Sequence, residues 1–287
     1  MDFDPMVSHV VRGTSIVRVL ESYDRVMYIP LDDVTTEGVL RVKVLPEGLS
    51  IPQNFDEATK GLLSQKWWDS MQEEITALIK NNTWQLVSRS DPRIGKRRIT
   101  KSRWVYDIKL ARDGTVSRYK SRFVVCGYSQ REGIDYERAF SATLRATTFR
   151  TLLAVAAGEK LRLAQYDVSN AFTQAKMDDV DLFVEPARGF EEFEIIGDKR
   201  RSKVLHLLRA LYGTKQASRL WQDTLRKALL EIGFIQSTAD PCIYRWRRAD
   251  GQTIILGVYV DDIILAYSNE SIHKEFQDKF CKRFTAR

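Results

Sequence analysis

Two adjacent aspartates, Asp261 and Asp262, sit between apolar runs in the stretch TIILGVYVDDIILAYS. Ile254 to Val260 lead into them, and Ile263 to Tyr267 lead away. Neighbouring carboxylates repel, and aliphatic surroundings make their charge costly unless a cation neutralises it. A rigidly held carboxylate pair offers hard oxygen donors, the kind magnesium prefers. The ordinary alternative is a solvated turn. Here no glycine or proline makes the bend, and apolar residues press on the acids from both sides. A third acid, Asp167, stands 94 residues upstream of Asp261. An isolated acid at a strand end is usually a cap or a surface residue, so its weight comes from the other two. Any meeting of the three must be made by the fold.

The elements that would position these acids follow from the flanks. Runs rich in Ile, Val and Tyr predict two short, largely buried strands with the acids at their bend. Leu161 to Phe172 predicts a strand delivering Asp167 and running into a turn or helix start. Asp250-Gly251 predicts a turn pairing a strand at Cys242 to Trp246 with the central one. Trp67, Met71, Ile75 and Leu78 or Ile79 recur at helical spacing within a helix from about Asp56 to Lys80. A second helix is expected over Thr147 to Ala157. In a third, Trp221, Leu225, Ala228 and Leu229 share a face, Ser218 caps the start and Gly233 ends it. Ser271 opens a fourth, with Phe276, Phe280 and Phe284 on one side. Two β-rich arms around Asp113-Gly114 predict a hairpin. They carry Arg103, Lys109, Arg112, Arg118, Lys120 and Arg122, which suit either an exposed soluble edge or a phosphate-binding flap.

Composition narrows the class. The chain has 287 residues, 44% hydrophobic and 29% charged, which suits a folded core of one or two domains. Three widely spaced cysteines, Cys126, Cys242 and Cys281, argue against a disulfide framework and for a reducing compartment. With His9, His206 and His273 they give no zinc-ligand spacing. A net charge of +7 fits a polyanionic partner without requiring one. No apolar run is long enough to span a membrane, and the opening MDFDPMVSHV lacks the features of a signal peptide. Residues 1–50 carry no readable role.

Seven ordered blocks then point one way: NNTWQLV, RWVYDIKLARDGTVSRYKSRFV, GYSQREGIDY, QYDVSNAF, ALYGTKQASRLW, DPCIY and YVDD. Together they resemble the reverse transcriptase of copia-type LTR retrotransposons, from about Ile51 onward. The resemblance implies an α+β fold, a right-hand polymerase whose fingers (51–155 and 176–217) flank a palm (156–175 and 218–287) with an antiparallel sheet packed on helices. It implies an RNA-directed DNA polymerase in which Asp167 and Asp261 hold two Mg2+ ions, with Mn2+ a substitute, and Asp262 is a third supporting acid. It places Lys120 and Arg122, with Lys109 behind them, on the incoming triphosphate. Phe172 stands as a wall against a ribose 2′-hydroxyl, and Tyr212 and Gly213 lie in a loop supporting nucleotide and template. Gln216, Arg219 and Trp221 belong to that same block with no contact assigned. Partners so implied are an RNA template, a DNA primer and deoxynucleoside triphosphates, with no membrane. A homo-oligomer or association with other polyprotein parts is open. The location so implied is cytoplasmic, in a virus-like particle, or nuclear. Cys126 departs from the family's usual Lys, and the chain is expected to stop before a thumb and an RNase H domain. The competing expectation is a non-catalytic retrotransposon remnant that at most binds nucleic acid.

Overall fold

The computed structural model describes residues 45–46, 49–95, 97–111, 113–177, 180–193 and 202–286. Residues 1–44 and Arg112, both part of the expectations above, lie outside them. The chain divides into two compact units, Met1–Ile51 with Lys109–Arg118, and Pro52–Ile108 with Tyr119–Arg287. Within the first, the described tip of a hairpin turns at Asp113-Gly114. Gly114 has φ +82, and the Thr115 N–H and hydroxyl both donate to the Asp113 carboxylate, at 3.0 and 2.6 Å.

The second unit is mixed α and β with antiparallel sheets. Its elements are α1 (Phe55–Lys60), α2 (Ser64–Lys80), β1 (Trp84–Ser88), β2 (Ser102–Leu110), β3 (Val116–Val125), α3 (Ala146–Gly158), β4 (Arg162–Asp167) and α4 (Ala171–Gln174). There follow β5 (Phe183–Val184), β6 (Lys203–Leu207), α5 (Ala217–Ile232), β7 (Ile235–Gln236), β8 (Ile243–Arg247), β9 (Thr253–Tyr259), β10 (Asp262–Tyr267) and α6 (Glu270–Cys281). The tips of β2 and β3 belong to the first unit. The main sheet runs β4-β10-β9-β8-β7, a second runs β1-β6-β5, and β2 pairs with β3 as a ribbon.

The apolar runs of β9 and β10 are continuous because both faces of the main sheet are covered. On one face Ile254, Leu256, Val258, Ile263 and Leu265 join Trp221, Leu225 and Leu229 of α5 and Ile272, Phe276 and Phe280 of α6. On the other, Leu152 and Ala156 of α3 pack with Ala266, Ile255 and Ile264. A fully buried Leu or Phe contributes roughly 1.5–3 kcal/mol, so this double layer holds β10 firmly between its neighbours.

Three helix boundaries differ from expectation. The helix expected from Asp56 to Lys80 is two, because the backbone is extended at Gly61 (φ −86, ψ 174). Ser218 makes no cap; α5 starts after Gln216, without a side-chain cap bond. The last helix opens at Glu270, since the Asn269 side chain accepts from the Ile272 N–H at 3.2 Å, which satisfies a free donor of the first turn.

Candidate active site

Asp167 closes β4 and Asp262 opens β10, and the two are direct register partners in the antiparallel ladder. Such partners project from the same face, with Cβ atoms roughly 4.5–5.5 Å apart. Gln165, two residues back along the strand, donates through Nε2 to Asp262 Oδ1 at 3.3 Å. Asp261 occupies the turn that joins β9 to β10, where Tyr259 pairs with Asp262. Burial raises the Asp261 carboxyl above the usual range, and the charges of Asp262 and Asp167 add to that rise. A backbone hydrogen bond and Lys120 pull it the other way. All three acids are thus within electrostatic reach of one another.

The turn is strained. Val260 has φ +58, a region that a β-branched residue rarely enters and that costs about 1–3 kcal/mol. A two-residue hairpin turn that follows the twist of its strands demands positive φ at its first central position, and glycine usually supplies it. Here fixed donors hold the valine's peptide. Trp221 Nε1–H on α5 donates to the Val260 carbonyl at 2.7 Å, and the Val168 N–H donates to the Asp261 carbonyl at 3.1 Å. Trp221 is 1% exposed and meets Phe284 edge-on, ring centroids 5.3 Å apart. The sequence put it on the apolar face of its helix and in the ALYGTKQASRLW block, with no contact assigned.

A basic and aromatic corner is built separately. On β3, Lys120 and Arg122 alternate with the buried Ser121 and Phe123, so both cations lie on one side of the strand. The Arg122 guanidinium stands 5.4 Å from the centre of the Tyr212 ring, and its Nε is buried without a hydrogen-bond partner. Tyr212 meets Phe172 edge-on at 4.7 Å. Burial raises the Tyr212 hydroxyl, the Asp261 charge raises it further, and Arg122 opposes both. Glu74 of α2 also raises it; nothing in the helical period of α2 pointed to that residue. Phe172 itself is half-buried against the main core.

The loop bearing Tyr212 is seated by two glycines. The Val125 N–H donates to the Tyr212 carbonyl at 2.8 Å. Gly213 has φ +86, and a Cβ there would fall 2.1 Å from the Val125 oxygen. A Cβ on Gly127 would fall 1.9 Å from the Gly213 oxygen. Behind them lies a buried polar bracket. Gln130 Nε2 donates to Gln216 Oε1 at 3.0 Å, Gln216 Nε2 to the Asp135 carbonyl at 3.3 Å, and the Lys215 N–H to Gln130 Oε1 at 2.8 Å. Gln216, left without a contact by the sequence, is therefore a strut. Arg219 donates to the Arg138 carbonyl at 2.9 Å. Lys109 belongs to the first unit.

Oxygen donors on facing strands, charged and mutually repelling, suit a hard divalent cation in kind. Among the described residues, no group of three or more His, Cys, Asp or Glu side chains closes into a metal site. The donor chemistry fits; the side chains as they stand do not form a finished cage. Among the described residues, too, no helix is long and apolar enough to cross a membrane.

Strand-borne acids beside a basic, aromatic corner define a candidate phosphoryl-transfer centre. A model of the family "Reverse transcriptase (RNA-dependent DNA polymerase)" matches residues 81–287, and the chain belongs to that family. It is similar to the Retrovirus-related Pol polyprotein from transposon RE1 of Arabidopsis thaliana, 36% identical over 230 residues, covering 80% of this chain and 15% of that polyprotein. It is also similar to the Retrovirus-related Pol polyprotein from transposon TNT 1-94 of Nicotiana tabacum, 33% identical over 233 residues, covering 81% of this chain and 17% of that one. The copia-type resemblance holds, and the chain spans 15% and 17% of the length of these two relatives. A solved structure of the foamy viral protease-reverse transcriptase in complex with ds DNA is 16% identical, covering 75% of this chain and 28% of that one, with a TM-score of 0.34. That likeness is too distant to carry an argument.

Proposed function

We propose that this chain is a reverse transcriptase core that adds deoxynucleotides to a primer 3′-hydroxyl on an RNA or DNA template. The observation that carries this reading is the register pair Asp167 and Asp262, with Asp261 on the clamped turn between β9 and β10. In it, Asp167 and Asp261 would hold two Mg2+ ions, or Mn2+ in their place, and Asp262 would keep the local field negative. Bound there, the ions would sharpen the attacking oxygen and steady the departing pyrophosphate. The protein's remaining work is placement and charge stabilisation. Arg122, with an unpartnered buried Nε, and Lys120 bind the triphosphate. Tyr212 holds Arg122 from below through its ring face, and Gly213 lets the loop lie flat on β3. Phe172, braced by Tyr212, blocks a ribose 2′-hydroxyl. The fingers are then 51–155 and 176–217, and the palm is 156–175 and 218–287.

Primer extension on a primed homopolymer template with Mg2+ and deoxynucleotide tests the reading. Wild type is expected to extend weakly and distributively, and Asp261→Asn to lower the rate by more than about 100-fold. Equal extension by both proteins would assign the activity to a contaminant. Duplex binding by both with extension by neither would leave a nucleic-acid-binding remnant. Phe172→Val is expected to relax sugar discrimination by about 10-fold; unchanged discrimination removes the wall.

A further inference from the structure

The strained turn and the buried indole belong to one device. Val260 holds a backbone conformation that its own side chain opposes. Strain of that kind persists only where the surroundings over-determine it. The hairpin ladder fixes Tyr259 opposite Asp262, and the Val168 N–H takes the Asp261 carbonyl. That leaves the Val260 carbonyl, whose orientation sets the rotation of the peptide leading into Asp261. It accepts from Trp221 Nε1–H at 2.7 Å. The indole cannot follow a relaxing turn: it is 1% exposed, carried mid-face on α5 and wedged against Phe284. If the turn relaxed, the buried indole donor would lose its acceptor, which is expensive.

Resting on the polymerase reading, we propose that Trp221 is a positioning residue for Asp261. Its indole N–H locks Val260 at positive φ, which keeps the Asp261 carboxylate turned toward the ladder pair Asp167 and Asp262. The same stretch of chain carries Tyr212 and Gly213 nine and eight residues earlier. One helix entry therefore sets both the loop beneath Arg122 and the bend bearing the acid.

A double-mutant cycle separates this from bulk packing. Trp221→Phe keeps an aromatic ring and removes the donor; Val260→Gly removes the conformational strain that the donor opposes. Two readouts are taken on all four proteins, Mn2+ affinity by calorimetry and the urea midpoint of unfolding. Trp221→Phe is expected to weaken Mn2+ binding about 10-fold, the usual size of a supporting-residue effect. In the V260G background the loss should fall below about 3-fold, since glycine adopts this conformation unaided. The destabilisation by Trp221→Phe should shrink in the same direction. Equal losses in both backgrounds overturn the proposal, because they mean that the indole only fills space. Should wild type bind no Mn2+ that Asp261→Asn removes, the polymerase reading fails and the urea cycle alone decides the clamp: coupling supports it, additivity overturns it. Should Trp221→Phe not fold, benzothienylalanine at that position keeps the bicyclic volume without the N–H and serves the same cycle.

Discussion

Two turns in this molecule each present an aspartate at the end of an antiparallel strand pair, and they are built by opposite means. Asp113 sits in a relaxed Asp-Gly turn whose glycine takes φ +82 with nothing within 4 Å of the site of a Cβ. Its carboxylate is held below the usual range by the Thr115 hydroxyl first and the Thr115 N–H second. Asp261 sits in a turn with no glycine at all, where a valine takes φ +58. Its carboxyl is held above the usual range by burial and by two like charges. The first turn is solvated by its own side chains, so its charge settles. The second disfavours the charge of its own aspartate, and contacts from α5 and from Val168 join the hairpin ladder in keeping it in shape. Such an arrangement is wasteful for stability alone, and the proposed polymerase reading gives it a use.

The widest predicted contrast is in activity. Asp167→Asn should lower primer extension by more than about 100-fold, whereas Gly114→Ala, far along the chain from all three acids, should change it less than about 2-fold. A steep loss with Gly114→Ala would join the two turns in one function and break the contrast. In stability, Gly213→Ala combines a positive φ with a Cβ 2.1 Å from a backbone oxygen, and should cost about 3 kcal/mol in urea unfolding. Gly114→Ala has the positive φ and open space, so its cost should be nearer 1 kcal/mol. Equal costs would show that close approach at Gly213 is relieved by movement of the loop.

The finest test uses pH. Asp113 has a lowered folded pKa, so its contribution to stability is present above the ordinary carboxylate pKa and is lost as pH falls through the folded value. Asp261 has a raised folded pKa, so the folded state binds its proton more readily than the unfolded state does. It therefore penalises the metal-free fold at neutral pH, and the penalty fades as pH falls below the folded value. Asp113→Asn should lower the urea midpoint at pH 7 and Asp261→Asn should raise it, with the two differences converging below about pH 4. Shifts of the same sign would erase the electrostatic distinction between the turns.

The legibility of each feature follows from how local its cause is. The acid pair was readable because two-sided burial turns β9 and β10 into unbroken apolar runs that bracket Asp261 and Asp262. The Asp113 turn was readable because glycine advertises its own conformation. Asp167 had no local signature; ordered motifs, and then the ladder, brought it opposite Asp262. Trp221 fell on the apolar period of α5, and period alone cannot reveal that its N–H reaches a carbonyl 39 residues away. Lys109 was set behind Lys120 by the family resemblance alone, and the two residues lie in different units of the chain. The starts expected at Ser218 and Ser271 missed by a residue or two, as boundaries of this kind do: Asn269 caps α6 with its side chain, and α5 begins after Gln216 with no side-chain cap.

The seam between Gly127 and Gly213 has a consequence for how the molecule can change. Most contacts between distant segments are made by side chains, so a larger partner on one side can be offset by a smaller one on the other. Here backbone lies against backbone, and each position already bears the smallest residue there is. Evolution or design can therefore retune the residues around Arg122 and Tyr212, but has no paired exchange with which to enlarge this junction.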